Sequence, residues 1–196
     1  NTKKYGATKG MSISECRDVL PELVKDFANI YCFESSIKKL KKLLPNNESK
    51  IKPLDFEVSK MRAIKSEEEL EIIIEACRIS SLAHIRAMKS VKPGMYEYQL
   101  EAEYLHEFMS HGARACAYPS IVGGGKNSCV LHYNDNKDVL NDGDLVLVDA
   151  GCELNNYASD ITRTFPVNGK FSKEQREIYE IVLEASKKSI ETVITG

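Results

Sequence analysis

The stretch DLVLVDAGCELNNYASDITRT, Asp144 to Thr164, decides the fold. Leu145 to Val148 is a short apolar run that reads as a buried strand. Asn155-Asn156 is the best turn candidate, since Asn tolerates the left-handed backbone conformation. With those two residues as a hairpin loop, Leu154 faces Tyr157 and Gly151 faces Asp160. Asp149 is two residues from Gly151 and projects from the same face. The two aspartates become diagonal cross-strand neighbours, with β-carbons roughly 7 Å apart. Both carboxylates could then reach one divalent metal, or a pair of metals roughly 3.5–4 Å apart. A slip of one residue would send Asp149 and Asp160 to opposite faces.

Two bare carboxylates that close would raise one another's pKa, and one would be protonated. A divalent cation removes the conflict. Spacing alone leaves a second arrangement open, in which Asp160 pairs with Arg163 and Asp149 sits partly solvated at a strand end.

The totals narrow the class. The 196 residues carry a net charge of −2, six cysteines and no tryptophan. That length allows one domain or two small ones with an ample core. Near-neutral charge argues against a nucleic-acid partner. Lys38, Lys39, Lys41 and Lys42 alternate with Ile37, Leu40, Leu43 and Leu44, the pattern of an amphipathic surface helix. No apolar stretch approaches the roughly 20 residues of a membrane span, so no membrane partner is expected. There is no signal-peptide pattern. The chain starts Asn1-Thr2 without a methionine, as a cut piece of a longer protein would. No cysteine pair has Cys-x-x-Cys spacing, and a chain with a real core needs no disulfides, so a cytoplasmic protein with reduced cysteines is expected. Cys152 lies beside the aspartate strand, but alternation points it away from the face of Asp149.

Taken in order, Gly10 to Phe27 contains a helical segment interrupted or started near Pro21. Ala28 to Phe33 reads as a strand, and the basic helix Ser36 to Leu44 stops at Pro45. Asn46 to Lys52 is polar and turn-rich and marks the domain boundary, giving residues 1–54 and 55–196. Ser66 and Glu69 form a capping box that opens a long helix, with Leu70, Ile73, Ile74, Cys77, Leu82, Ile85 and Met88 predicted to face the core. His84 in this helix reads as structural or exposed. A second helix spans about Tyr96 to Ser110, with His106, His111 and the capping Gly112 at its end. Both histidines read as structural. SIVGGGK, Ser120 to Lys126, fits neither the P-loop nor the dinucleotide pattern; its glycines let a loop pass close to a substrate or another backbone. Cys129 to Tyr133 reads as a short strand. Asn168-Gly169 is a turn, and Ser172 with Gln175 caps a last helix whose apolar positions include Ile178, Ile181, Val182, Ala185 and Ile190.

Several of these motifs, in this order, resemble the pita-bread metallopeptidases, and within them the aminopeptidase P (Xaa-Pro aminopeptidase) branch. The resemblance runs from about Met61 to the C-terminus. It rests on VDAG with Tyr157-x-x-Asp-Ile-Thr-Arg-Thr-Phe-Pro166, the helix Ser66 to Lys89, Lys92-Pro93-Gly94-Met95, His111-Gly112-Ala113-Arg114, Tyr118-Pro119, Gly123 to Gly125 and Leu131-His132-Tyr133. It implies an α+β fold: the first half of a pita-bread catalytic domain, after part of a small α/β amino-terminal domain. It implies two divalent metal ions, manganese expected, with Asp149 a terminal ligand of one and Asp160 bridging both. Such metals would lower the pKa of a bridging water and make hydroxide for attack on a peptide carbonyl. The residues alone favour a His132 satisfied by a backbone carbonyl; the resemblance instead makes it a substrate-facing catalytic histidine that donates to the developing oxyanion. Tyr118 matches a position lining the substrate pocket. The substrates implied are peptides with proline second. The remaining ligands, a histidine and two glutamates including the general base, would lie in a second half that this chain lacks, so the chain alone should be inactive. Prolidase, creatinase and a metal-free binding protein on the same fold remain alternatives, the retained aspartates counting against the last two. A homo-oligomer is implied for the full-length protein.

Overall fold

The computed structural model describes Gly6 and residues 10–194. The chain divides into two compact units, residues 1–65 and 66–196.

In the first unit a 3-10 turn leads into α1 (Cys16–Val24), which contains Pro21. Strand β1 (Ile30–Cys32) pairs in parallel with β2 (Ile51–Pro53), Ile30 facing Ile51. Between them run the basic helix α2 (Glu34–Leu43) and a 3-10 helix that starts at Pro45. Helix α3 (Asp55–Ala63) closes the unit, and its Asp55 carboxylate accepts the Glu34 N–H at 2.8 Å. The polar stretch after Pro45 is therefore a crossover inside this unit. The compact units part between Lys65 and Ser66: β2 completes the sheet, and Asp55 ties α3 to the start of α2.

The second unit opens with α4 (Glu67–Ser90) and α5 (Glu97–Ser110). Ser66 caps α4 as expected: Glu69 N–H donates to Ser66 Oγ, and Ser66 N–H donates to the Glu69 carboxylate. The face of α4 that meets the core is not the one its large apolar residues mark. Ala76, Ile79, Ser80, Ala83, His84 and Ala87 are buried, while Leu70, Ile74, Ile85 and Met88 are exposed. Small side chains let α4 lie close against α5 and the hairpin, so the stripe is set by close approach rather than by side-chain volume.

Three strands form one sheet in the order β4 (Ile121–Gly124), β5 (Leu145–Asp149), β8 (Thr162–Pro166). Three short ones form another, β3 (Ala115–Cys116), β6 (Cys152–Leu154), β7 (Tyr157–Ala158). Both are antiparallel. Val122, Val146, Val148, Ala150, Cys152 and Phe165 pack with α4 and α5 residues into one core. Along β5 burial alternates: Val146 and Val148 are buried, and Leu145 and Leu147 half-buried, so the strand is covered on one face more than the run LVLV implied. Helix α6 (Lys173–Glu191) ends the unit, capped by Ser172 and Gln175, with no residue buried. No helix among the described residues is long and apolar enough to cross a membrane.

Candidate active site

The site is built on the hairpin of β5, β6, β7 and β8. Leu154 faces Tyr157, Glu153 faces Ala158, and Asp149 faces Thr162. Asn155 and Asn156 have φ of +49° and +70°, the two positive values of a type I′ turn. Across the junction of the two sheets, Ser159 N–H donates to Cys152 O, and Ala150 N–H donates to Ile161 O. One register thus runs from the turn to the far end of β5, and it is the register that places Asp149 and Asp160 on the same face.

The junction is pinched. A β-carbon on Gly151 would lie 1.8 Å from Ser159 O, so only glycine lets the strands meet there. Beneath it, buried hydroxyls replace ladder bonds. Ser80 Oγ and Ser159 Oγ lie 2.7 Å apart, and each is 3.0 Å from Cys152 N. Cys152 points into the core, its Sγ 3.4 Å from Ala76 O, on the face away from Asp149 as alternation requires.

His84 supports the other arm. Its Nε2 lies 3.0 Å from Ile161 O, next to Asp160. A carbonyl can only accept, so Nε2 carries the proton and Nδ1 accepts the Tyr104 O–H at 2.9 Å. Burial pushes the His84 pKa down, against the carbonyls of Ala150 and Ile161 that favour its charge. His84 is a neutral, buried strut, in keeping with a structural reading. His106 and His111 are bonded within α5, to Ser110 and to the Glu107 carbonyl.

Above the hairpin, the Tyr118 hydroxyl lies 2.6 Å from Asp149 Oδ1 and 3.0 Å from Asp160 Oδ1. Both carboxylates therefore converge on one point. Arg163 does not take Asp160; its Nη1 donates to Thr162 O at 2.7 Å. Burial, and then the two carboxylates, hold the Tyr118 phenol far above its ordinary pKa, so it stays a donor. Its ring lines the cavity, but its hydroxyl serves the aspartates.

Tyr118, Pro119, Ile121, His132, Asn134, Asp149 and Asp160 line one cavity of about 330 Å³. All four residues singled out in the sequence thus share it. A wider depression of about 470 Å³ near Ser90, Lys92 and Glu103 holds no convergent pair of ionisable groups, and chemistry rather than size selects the smaller one. Two converging carboxylates are hard oxygen donors suited to a divalent cation. Among the described residues no group of three or more His, Cys, Asp or Glu side chains could hold a metal. The pair fits part of a metal site and needs further ligands.

His132 is not on a strand. Gly125–Cys129 is a 3-10 helix, and Val130 to Tyr133 turns back, with His132 at φ +53°. Ser128 Oγ donates to Gly125 O at 2.6 Å, a local bond that competes with a ladder and overrides the β-type letters. The glycines before it serve the chain's own packing: a β-carbon on Gly123 would lie 2.9 Å from the Asn127 backbone.

Sequence reading missed Glu97. It is fully buried at the first turn of α5. Its Oε1 accepts Gly124 N–H at 2.8 Å and Asn127 Nδ2 at 3.0 Å. Its Oε2 accepts the Tyr133 O–H at 2.7 Å and Asp138 N–H at 3.0 Å. Burial, and then this bond, push the Tyr133 phenol up to about 12. An acidic residue in a first helical turn reads as a dipole partner, which hides such a role.

Comparison with known proteins places the chain in a family. The model of metallopeptidase family M24 matches residues 71–196. A Xaa-Pro aminopeptidase of Haemophilus influenzae is 46% identical over 99% of this chain and 46% of its own length. That of Escherichia coli is 44% identical over 96% of this chain and 46% of its own length. Among solved structures, proline aminopeptidase P II from Yersinia pestis superposes with a TM-score of 0.90 at 42% identity, covering 100% of this chain and 48% of that one. Zinc-substituted E. coli aminopeptidase P in complex with product gives 0.88 at 42% identity, with the same coverage. The chain spans about half the length of the relatives it matches. With residues 71–196 matched by the family model, the chain belongs to metallopeptidase family M24 and has the pita-bread fold of the aminopeptidase P structures, over about half of their length.

Proposed function

We propose that the protein is a metal-dependent Xaa-Pro aminopeptidase, which removes the first residue from peptides with proline second. The observation that carries this is the convergence of Asp149 and Asp160 on one hydroxyl, inside a cavity shared with His132. The names and 44–46% identity of the relatives support the substrate class. The zinc-substituted neighbour supports a divalent cation.

Residues 1–54 are read as the end of an amino-terminal domain and residues 55–196 as the first half of the catalytic domain. Asp149 and Asp160 would be ligands of the divalent cations, manganese being the expected ion. The cations supply Lewis-acid activation of water and of the scissile carbonyl. Tyr118 donates to the carboxylates, fixing their orientation as an outer-shell partner does, while its ring walls the substrate cavity. His132 donates a hydrogen bond to the carbonyl oxygen as charge develops on it. A histidine and two glutamates complete the site from sequence outside these residues, one glutamate acting as the general base. The full-length protein is read as a cytoplasmic homo-oligomer without nucleic-acid or membrane partners. All six cysteines are free, which suits a reducing compartment.

The test is manganese binding and Xaa-Pro peptide cleavage by the full-length protein, with Asp160→Asn beside it. The expected outcome is metal-dependent release of the first residue from tripeptides and longer peptides, with kcat at least about 10³-fold lower in the variant, the scale of losing a group that stabilises the transition state. Cleavage confined to dipeptides would replace the reading with Xaa-Pro dipeptidase. Metal-independent cleavage, or none, would sink it.

A further inference from the structure

We propose that Glu97 is a positioning residue for His132: its buried carboxylate fixes the loop 124–138 that presents the imidazole to the Asp149–Asp160 cavity. The inference rests on the peptidase reading above for its catalytic consequence, and on geometry alone for the holding itself.

A carboxylate is an acceptor only, and a buried one is tolerable when its lone pairs are filled. Glu97 has four donors, and all belong to this loop. Gly124 and Asn127 sit on the approach to His132. Tyr133 and Asp138 sit on the return. The Glu97 N–H also donates to Asp138 O at 2.9 Å, so side chain and backbone grip the same residue. Asn127 Nδ2 lies in addition 2.9 Å from Asp138 Oδ2 and 3.1 Å from the Tyr133 hydroxyl, which joins the two limbs directly.

His132 needs such a grip. At φ +53° it holds a conformation that L side chains rarely adopt, which persists only where the surroundings over-determine it. The Tyr133 bond to Glu97 is the tie next to it. A second clamp stands further along. Buried Asn136 accepts Val122 N–H and donates to Ser120 O, both at 2.9 Å, anchoring the return limb to the start of β4. Glu97 does not line the cavity and touches neither aspartate, so any effect it has on the reaction passes through the loop.

The experiment uses the full-length protein with two variants, Tyr133→Phe and Glu97→Gln, each also made in a His132→Ala background. Tyr133→Phe removes one donor and keeps the ring, so it serves even if Glu97→Gln fails to fold. Hydrogen–deuterium exchange of residues 124–138 reads the loop whatever the protein cleaves. The expected result is exchange about tenfold faster there, the scale of losing one bond to a charged group, with residues 145–166 unchanged. Kinetically, kcat on a Xaa-Pro tripeptide falls about tenfold or more with KM and manganese affinity within twofold, because His132 acts on charge present in the transition state. In the His132→Ala background neither variant lowers kcat further. Unchanged exchange in 124–138, exchange raised equally throughout the unit, or an equal kcat loss with and without His132, would each overturn the proposal. If the wild type cleaves no Xaa-Pro peptide, the peptidase reading fails, and the exchange contrast still decides whether Glu97 holds the loop.

Discussion

At the scale of single residues, the site is decided by what cannot be replaced. Gly151 is the sharpest case. An added β-carbon would meet Ser159 O at 1.8 Å and Ser159 C at 2.6 Å, and both atoms are backbone that cannot turn aside. Gly151→Ala should therefore cost about 3 kcal/mol or more in chemical denaturation, at the upper end of overpacking losses. A stability within about 0.5 kcal/mol of wild type would show that the two strands do not meet as described. His84 makes a second, pH-dependent case. Burial depresses its pKa in the folded state, so the unfolded chain binds its proton first on acidification. The stability its neutral form supports is complete above the unfolded value near 6.5 and is lost as pH falls from there toward the folded pKa. His84→Gln keeps a donor for Ile161 O but carries no titration. Its melting temperature should fall less than that of wild type between pH 6.5 and 5.5; parallel curves would rule this out. The aspartates were legible because their spacing about a two-Asn turn is a local quantity. Glu97 was not, because its four partners lie 27 to 41 positions away in sequence.

At the scale of elements, what the sequence exposes is local and what it hides is tertiary. Both Ser-led capping boxes and the type I′ turn were readable, since each is specified within four residues. The inward face of α4 was not. Large apolar residues drew the reading to Leu70, Ile74, Ile85 and Met88, whereas contact with α5 and the hairpin selects Ala76, Ser80, Ala83 and Ala87. Strand β2 was equally hidden, since three residues, Ile-Lys-Pro, carry no periodicity and gain strand form only beside β1. The α4 assignment can be checked directly. Ala83 is fully buried, and Ala83→Leu should cost about 1–3 kcal/mol by overpacking. A neutral or stabilising result would restore the large-residue face as the packed one.

At the scale of the whole molecule, the site's chemistry and the chain's extent must be weighed together. The described residues bring two carboxylates to one cavity, and no group of three or more His, Cys, Asp or Glu side chains among them is arranged to hold a metal. Two carboxylates without further ligands resemble the weakest oxygen sites, with dissociation constants on the order of 10⁻³ M. The family relatives are about twice as long as this chain. The exposed apolar residues of α6, Ile178, Ile181, Val182 and Ile190, are not among the residues that line the cavity. From this follows the last prediction: the 196-residue chain by itself binds manganese only at about millimolar strength and releases no first residue from Xaa-Pro peptides. Calorimetry and a peptide-cleavage assay on the purified chain check both parts. Micromolar binding would mean that Asp149 and Asp160 recruit ligands from within these residues, with His132, which lines the same cavity, the first candidate. Measurable cleavage would mean that a general base also lies here, and the assignment of that role to sequence elsewhere would have to be withdrawn.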